Sequence, residues 1–145
     1  MTPEAVATAF FERWSVSYDE MMASFEETFA DDCRWDQRPM ALTTTKAEAL
    51  RFMARSRKML GLETIDVDIV KIASSDDAVL CERIDHLRGK DGRLIVSAPV
   101  AGMLVIQDGL IVDWKEYFDS VSILKDAAVS GAESALAWVK GRLGR

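Results

Sequence analysis

The chain has a single histidine, two cysteines and three prolines among its 145 residues, and that scarcity excludes several chemistries. Two cysteines, Cys33 and Cys81, cannot form the dense disulfide framework of a small secreted scaffold. With His86 as the one imidazole, and no CxxC or HExxH spacing, a zinc or transition-metal site lacks its ligands. Neither GxGxxG nor the glycine-lysine pattern of a P-loop occurs, so no nucleotide-phosphate cradle is expected. The sequence therefore predicts an enzyme without metal or cofactor. No uncharged run approaches the roughly 20 residues that a membrane helix needs. The opening MTPEAVATAFFERW has no basic leader before an apolar stretch. A cytoplasmic location is the expectation. Basic excess is missing too. With net charge −6 and a pI near 4.8, neither nucleic acid nor a membrane surface is an expected partner.

What is present fits a soluble globular chain: 49% hydrophobic and 29% charged residues. The length predicts one domain over 1–145 with one core. Thr2-Pro3-Glu4 reads as a cap, a first-turn proline and an acidic first turn. Val6, Phe10 and Trp14 follow as an i+4 apolar stripe on a first helix. Asp19 is the expected cap of a second helix that buries Met22, Phe25 and Phe29, so helices are expected over about 3–30. An Asp31-Asp32 turn then leads into an extended piece, Cys33 to Arg38, ended by Pro39. A third helix is expected over 46–58, with Leu50, Met53 and Ala54 inward.

From about residue 63 the period changes from 3.6 to 2. Ile65, Val67 and Ile69 alternate with charged residues. Asp76-Asp77, Gly89-Lys90-Asp91-Gly92 and Asp108-Gly109 read as turns between strands. Pro99, inside the long strand Leu94 to Gln107, predicts a bulge or an edge, since proline has no N–H to donate. The tail, about 123–143, is expected to be helical, with Ala128, Ala132, Leu136, Val139 and Leu143 along one side. Helices first, then a meander running from 33–38 through 63–119, predict an α+β fold. The helices would pack on one face of a curved, largely antiparallel sheet and enclose a pocket.

Strand parity then singles out the candidate site. Residues i and i+2 share a face, so Val79, Cys81, Arg83, Asp85 and Leu87 lie together, an apolar face with an ion pair at its centre. In the last strand, Leu110, Val112, Trp114, Glu116 and Phe118 form another apolar face with one carboxylate. If both faces line the same concavity, Arg83 lies near Asp85 and Glu116 inside a dry chamber. Burying such ions costs several kcal/mol each unless they are paired, and groups of this kind cluster at functional sites. Two carboxylates that share a proton can act as acid and base near neutral pH. Cys81 has no histidine on its face to activate it. His86 and Tyr117 point away by parity, and Arg51, Arg55, Arg57 and Lys58 read as a solvated helix face.

The segments CERIDHLR, DWKEYFD and RWDQRP resemble the limonene-1,2-epoxide hydrolase family. That family shares its cone-shaped barrel with nuclear transport factor 2, the ketosteroid isomerases and the SnoaL-like polyketide cyclases. The resemblance implies that Asp85 is the acid that protonates an epoxide oxygen and that Arg83 is the bridge. Glu116 stands at the place of the family's water-activating Asp, Trp35 at that of a Tyr, and Gln37 at that of a water-holding Asn. Trp35, Gln37, Trp114, Cys81 and Phe118 are the expected substrate- or water-binding residues. The expected partner is an apolar small molecule with a terpene, sterol, aromatic or fatty skeleton. By the same analogy a homodimer is expected, paired through Ile84, Ile111 and Tyr117 on the outer sheet face. One-step epoxide hydrolysis is the first reading. Isomerase, cyclase, dehydratase or lyase chemistry on the same scaffold, or plain ligand binding, are the alternatives.

Overall fold

The computed structural model describes residues 1–130. Helix α1 (Pro3–Glu12) starts where Thr2 Oγ1 accepts the N–H of Ala5 at 3.1 Å. Pro3 takes the first turn, where its missing N–H is not needed. A 3₁₀ turn (Arg13–Ser15) leads to α2 (Tyr18–Thr28). Its cap is Ser17 rather than Asp19: the Ser17 hydroxyl accepts the Glu20 N–H at 3.1 Å. Asp19 falls in the first turn, where its charge suits the helix dipole. Met21, Ser24 and Phe25 form the buried face; Met22 is only half-buried, and Phe29 already belongs to a strand. Helix α3 (Lys46–Leu60) is capped by Thr45 and stops at Gly61, whose φ of 69° lets its N–H reach Arg57 O at 2.8 Å. Ala49, Phe52, Met53, Ser56 and Leu60 face inward. Ala54, expected inside, is exposed, because the helix turns about 100° between it and Met53.

Among the described residues, six strands form one mixed sheet: β1 (Phe29–Arg38), β2 (Ala41–Thr43), β3 (Thr64–Ser75), β4 (Ala78–Arg88), β5 (Leu94–Gln107) and β6 (Leu110–Phe118). Their order is β2-β1-β6-β5-β4-β3; β1 runs parallel to β6 and every other pair is antiparallel. Strand β1 starts four residues before the expected Cys33. Asp31 and Asp32 do not turn the chain; they lie in a register shift between Phe29 and Arg34, exposed on the strand. The three-residue β2 is too short to show a period.

Three turn tips, Asp76, Asp91 and Asp108, take positive φ, as the turn pattern predicts. Pro99 sits in β5 between two neighbours, yet it is locally at an edge: β6 ends opposite Val100, and Pro99 O accepts the N–H of Asp119 just beyond. No ladder bond is lost there. A second register shift, between Val105 and Ile106, turns Ile111 inward. Ile111 is fully buried, so it is not part of the outer sheet face.

Helix α1 lies against β3, β4 and β5, α3 against β1 and β2, and α4 (Ser120–Ser130) against β5. The expected C-terminal helix thus begins earlier, at Ser120, and its part beyond 130 lies outside the described residues. Among the described residues no helix is long and apolar enough to cross a membrane.

Between helices and sheet lies an aromatic core of Phe10, Phe11, Trp14, Phe25, Phe29, Trp35 and Trp114. Phe10 touches five of these rings, and Trp35 stacks on Trp114 with centroids 4.9 Å apart and planes 8° from parallel.

Gly102 in β5 is paired with Glu116 in β6. A Cβ there would lie 2.6 Å from Lys115 O and 3.0 Å from Glu116 Cα. Backbone cannot yield as a side-chain tip can, so the absence of a side chain lets β6 pass close and sets where the Glu116 carboxyl emerges. Replacing Gly102 with Ala is expected to destabilise the fold by about 1–3 kcal/mol, the usual cost of overpacking. Urea denaturation checks this; an unchanged midpoint would contradict the close-approach explanation.

Candidate active site

Arg83 and Asp85 are both on the inner face of β4, Glu116 is on the inner face of β6, and β5 passes between them at Val100 and Gly102. The Arg83 side chain spans that gap. Its Nε donates to Asp85 Oδ1 at 2.8 Å and its Nη2 to Asp85 Oδ2 at 3.0 Å, a bidentate fork. The same Nη2 donates to Glu116 Oε1 at 2.8 Å and Oε2 at 3.3 Å. Exposure is 1% for Arg83, 4% for Asp85 and 0% for Glu116, so these charges are removed from bulk water. The guanidinium also lies over the Phe11 ring at 4.6 Å and near those of Trp114 and Trp14, whose π faces favour a cation.

The electrostatics follow from counting charges. Burial by itself would push the Arg83 guanidinium down, but the attraction of Asp85 and Glu116 and their hydrogen bonds more than offset it and hold it up. Arg83 stays cationic. For Glu116, burial is the largest influence and raises its proton affinity, opposed by Arg83 and reinforced by the charge of Asp85. One cation balances one carboxylate here. A second ionised carboxylate would leave a net negative charge in an apolar chamber, so Glu116 holds its proton above the ordinary carboxylate range.

A cavity of about 60 Å³ opens onto the three charged groups, room for a few waters. Trp35 and Gln37 border it from β1, Phe52, Met53 and Ser56 from α3, and Leu87 and Phe118 from the strand ends. In the parallel β1–β6 ladder Gln37 pairs with Glu116 and Trp35 with Trp114. Gln37 thus stands beside the Glu116 carboxyl. Its Nε2 is buried without a hydrogen-bond partner. The Trp35 indole N–H is close enough to Glu116 to favour its ionised form slightly, yet it closes no hydrogen bond.

Of the residues singled out from sequence, Asp85, Arg83, Glu116, Trp35, Gln37 and Phe118 therefore border one chamber. Trp114 and Cys81 are outside that lining: Trp114 stacks behind Trp35, and Cys81 is a buried thiol whose burial raises its pKa. Cys33 is likewise inert, pushed up to about 12 by burial and by Asp113 and Asp32. His86 bonds to Ser97 and Tyr117 is half-exposed. Sequence reasoning did not single out Phe11, Phe52, Ser56 or Thr43. Phe52 and Ser56 could have been found from the i+4 spacing of α3; Thr43, in a strand too short for a period, carried no signal.

Because the folded-state proton affinity of Glu116 is raised, its protonated form stabilises the fold. That contribution is complete below the unfolded-state value of about 4.3 and is lost as pH rises through the folded-state value. Replacing Glu116 with Gln removes this dependence. Between about pH 5 and 8, the urea midpoint of the wild type is expected to fall relative to that of the Glu116→Gln variant. Parallel profiles would show that Glu116 carries no raised proton affinity.

The chain matches the limonene-1,2-epoxide hydrolase catalytic domain over residues 6–129. No curated protein shows significant sequence similarity to it. Among solved structures, an LEH-like epoxide hydrolase from M. tuberculosis is similar at a TM-score of 0.70 and 24% identity, covering 89% of this chain and 96% of the other. A Catenulispora acidiphila protein with a ketosteroid isomerase-like fold has a TM-score of 0.67 and 22% identity over 88% and 95% of the two chains. A Shewanella denitrificans protein described as a SnoaL-like polyketide cyclase has a TM-score of 0.73 and 14% identity over 88% and 97%. At these identities the likeness shows a common fold, the cone of helices and curved sheet shared with nuclear transport factor 2. The family follows from the domain match, which spans most of the sequence: the chain belongs to the limonene-1,2-epoxide hydrolase family.

Proposed function

We propose that this protein hydrolyses the epoxide of a small apolar molecule in one step, without metal or cofactor. The observation that carries the reading is Arg83 holding Asp85 and Glu116 in one buried chamber, each at hydrogen-bond distance. Coupled in this way, the carboxyls share one proton. At rest Glu116 holds it; in the reactive arrangement, as the family's pattern implies, the proton has passed to Asp85 and Glu116 is ionised. A water held between Glu116 and the free Gln37 amide attacks an epoxide carbon, and Glu116 accepts the proton that water loses. The C–O bond of the ring breaks, and Asp85 gives its proton to the departing oxygen. The product is a vicinal diol. The proton has moved from Asp85 to Glu116, and solvent exchange resets the pair.

Two features support these roles. A carboxylate with raised proton affinity is the stronger base. Glu116 pairs with Gln37 across the ladder, which gives a water both an acceptor and a donor. The walls are apolar, and the chamber is narrow. A terpene-sized substrate enters when the half-buried Leu87 and Phe118 at the rim turn aside. A second reading, isomerase or lyase chemistry, draws on the same proton affinity, with Glu116 withdrawing a proton from carbon. A homodimer is proposed on the outer face of the sheet, where Leu80 and Tyr117 are half-exposed beside Lys71 and Glu82, of opposite charge.

With limonene-1,2-epoxide and small cyclic epoxides in ¹⁸O water, the expected product is a diol carrying one labelled oxygen. Asp85→Asn and Glu116→Gln are each expected to lower kcat/KM on the order of 10²–10⁴-fold while the protein stays folded. Turnover without label, or exchange of a substrate C–H for deuterium, would favour the second reading instead.

A further inference from the structure

Hydrolysis places two demands on this chamber that conflict. An apolar substrate must fill it, and water must still reach Glu116 once it is full. The rim at Leu87 and Phe118 is apolar, and a bound substrate would block it.

On the opposite side of Gln37 lies a second, wider hollow of about 390 Å³, between the β1–β2 hairpin and α3. Its walls mix Asp36, Arg38, Thr43 and Arg55 with apolar residues of the hairpin, and so are far more polar than those of the substrate chamber. Gln37 and Phe52 border both spaces. These two residues therefore lie between them. Thr43 Oγ1 and Gln37 Nε2 are both buried, with the residues only 5% and 3% exposed, and neither has a protein partner. Thr43 borders the outer hollow and Gln37 the partition, and leaving such buried groups unmet costs about 1–3 kcal/mol each. The ladder gives the route. Ala41, Gln37 and Glu116 occupy one row across β2, β1 and β6, and Thr43, Trp35 and Trp114 occupy the next.

We infer that the hollow between β2 and α3 is the water inlet of the active site, with Thr43 and Gln37 passing water to Glu116 while substrate occupies the apolar chamber. The inference deepens the hydrolytic reading and rests on it for its purpose, though not for its test. Gln37 is the moving part: a turn of its amide opens the partition, and the same amide then holds the water beside Glu116. Ala41, at the edge-strand end of the row, lines the hollow, so a larger side chain there would narrow it.

The test reads water access directly, by magnetisation exchange between water and the indole N–H groups of ¹⁵N-labelled protein. Trp35 Nε1 is unpartnered and borders the chamber, whereas Trp114 Nε1 is unpartnered but outside it. In the wild type, the Trp35 signal is expected to exchange roughly tenfold faster than that of Trp114. Ala41→Phe and the near-isosteric Thr43→Val should each slow Trp35 several-fold and leave Trp114 unchanged. Thr43→Val serves if the larger side chain at position 41 disturbs folding. Leu87→Phe at the rim should have no effect. The inference is overturned if Trp35 exchange is unmoved by either inlet variant, or if it slows only when the rim is filled. With limonene-1,2-epoxide as the probe, Ala41→Phe is expected to lower kcat and spare KM. Should no epoxide be hydrolysed even by the wild type, the hydrolytic reading fails, while the exchange rates still decide whether the inlet exists.

Discussion

One buried cation organises this molecule. Arg83 cannot give up its proton and is shielded from bulk water, so the fold must supply negative charge and π density around it. Asp85 supplies the first by a bidentate fork, and Phe11, Trp14 and Trp114 supply the second. Glu116 is the group that has no cation to itself. Burial raises its proton affinity most, and the charge of Asp85, already paired with Arg83, adds to that rise. The same imbalance costs stability when Glu116 ionises and leaves two carboxyls only one guanidinium apart.

The rest of the structure holds that arrangement in place. Glu116 reaches Arg83 because Gly102 lets β6 lie close to β5. Gln37 stands next to Glu116 because β1 joins the sheet parallel to β6, the one parallel pairing among the described residues. Helix α1 brings Phe11 and Trp14 over the guanidinium, and α3 closes the chamber with Phe52, Met53 and Ser56. Each of these placements depends on non-local pairing, yet each ends within reach of the same three charged side chains.

Much of this was legible in the sequence, for a stated reason. Charged residues on an otherwise apolar strand face are improbable without a partner, and period-2 parity identifies the face. Arg83, Asp85 and Glu116 followed from that alone, and the turns at Asp76, Asp91 and Asp108 followed from their composition. What parity could not see was where the register shifts. The shift between Val105 and Ile106 takes Ile111 from the expected outer face into the core, and the one between Phe29 and Arg34 hides two aspartates inside a strand. The cap at Ser17 rather than Asp19 was a choice between two good capping residues two positions apart, which local preference does not resolve. Thr43 and the hollow behind Gln37 arise from a three-residue strand and a helix meeting across the sheet edge, and no local pattern encodes such a meeting.

The central claim is that Glu116 titrates as the second carboxyl of a coupled pair. The most direct measurement is a ¹³C NMR titration of the Glu116 side-chain carboxyl in the wild type and in the Asp85→Asn variant. The account predicts a midpoint above the usual carboxylate range of about 4.3 in the wild type. It predicts a clear downward move in the variant, where the charge of Asp85 no longer opposes ionisation and Arg83 is left to Glu116 alone. An ordinary midpoint in both proteins would contradict it.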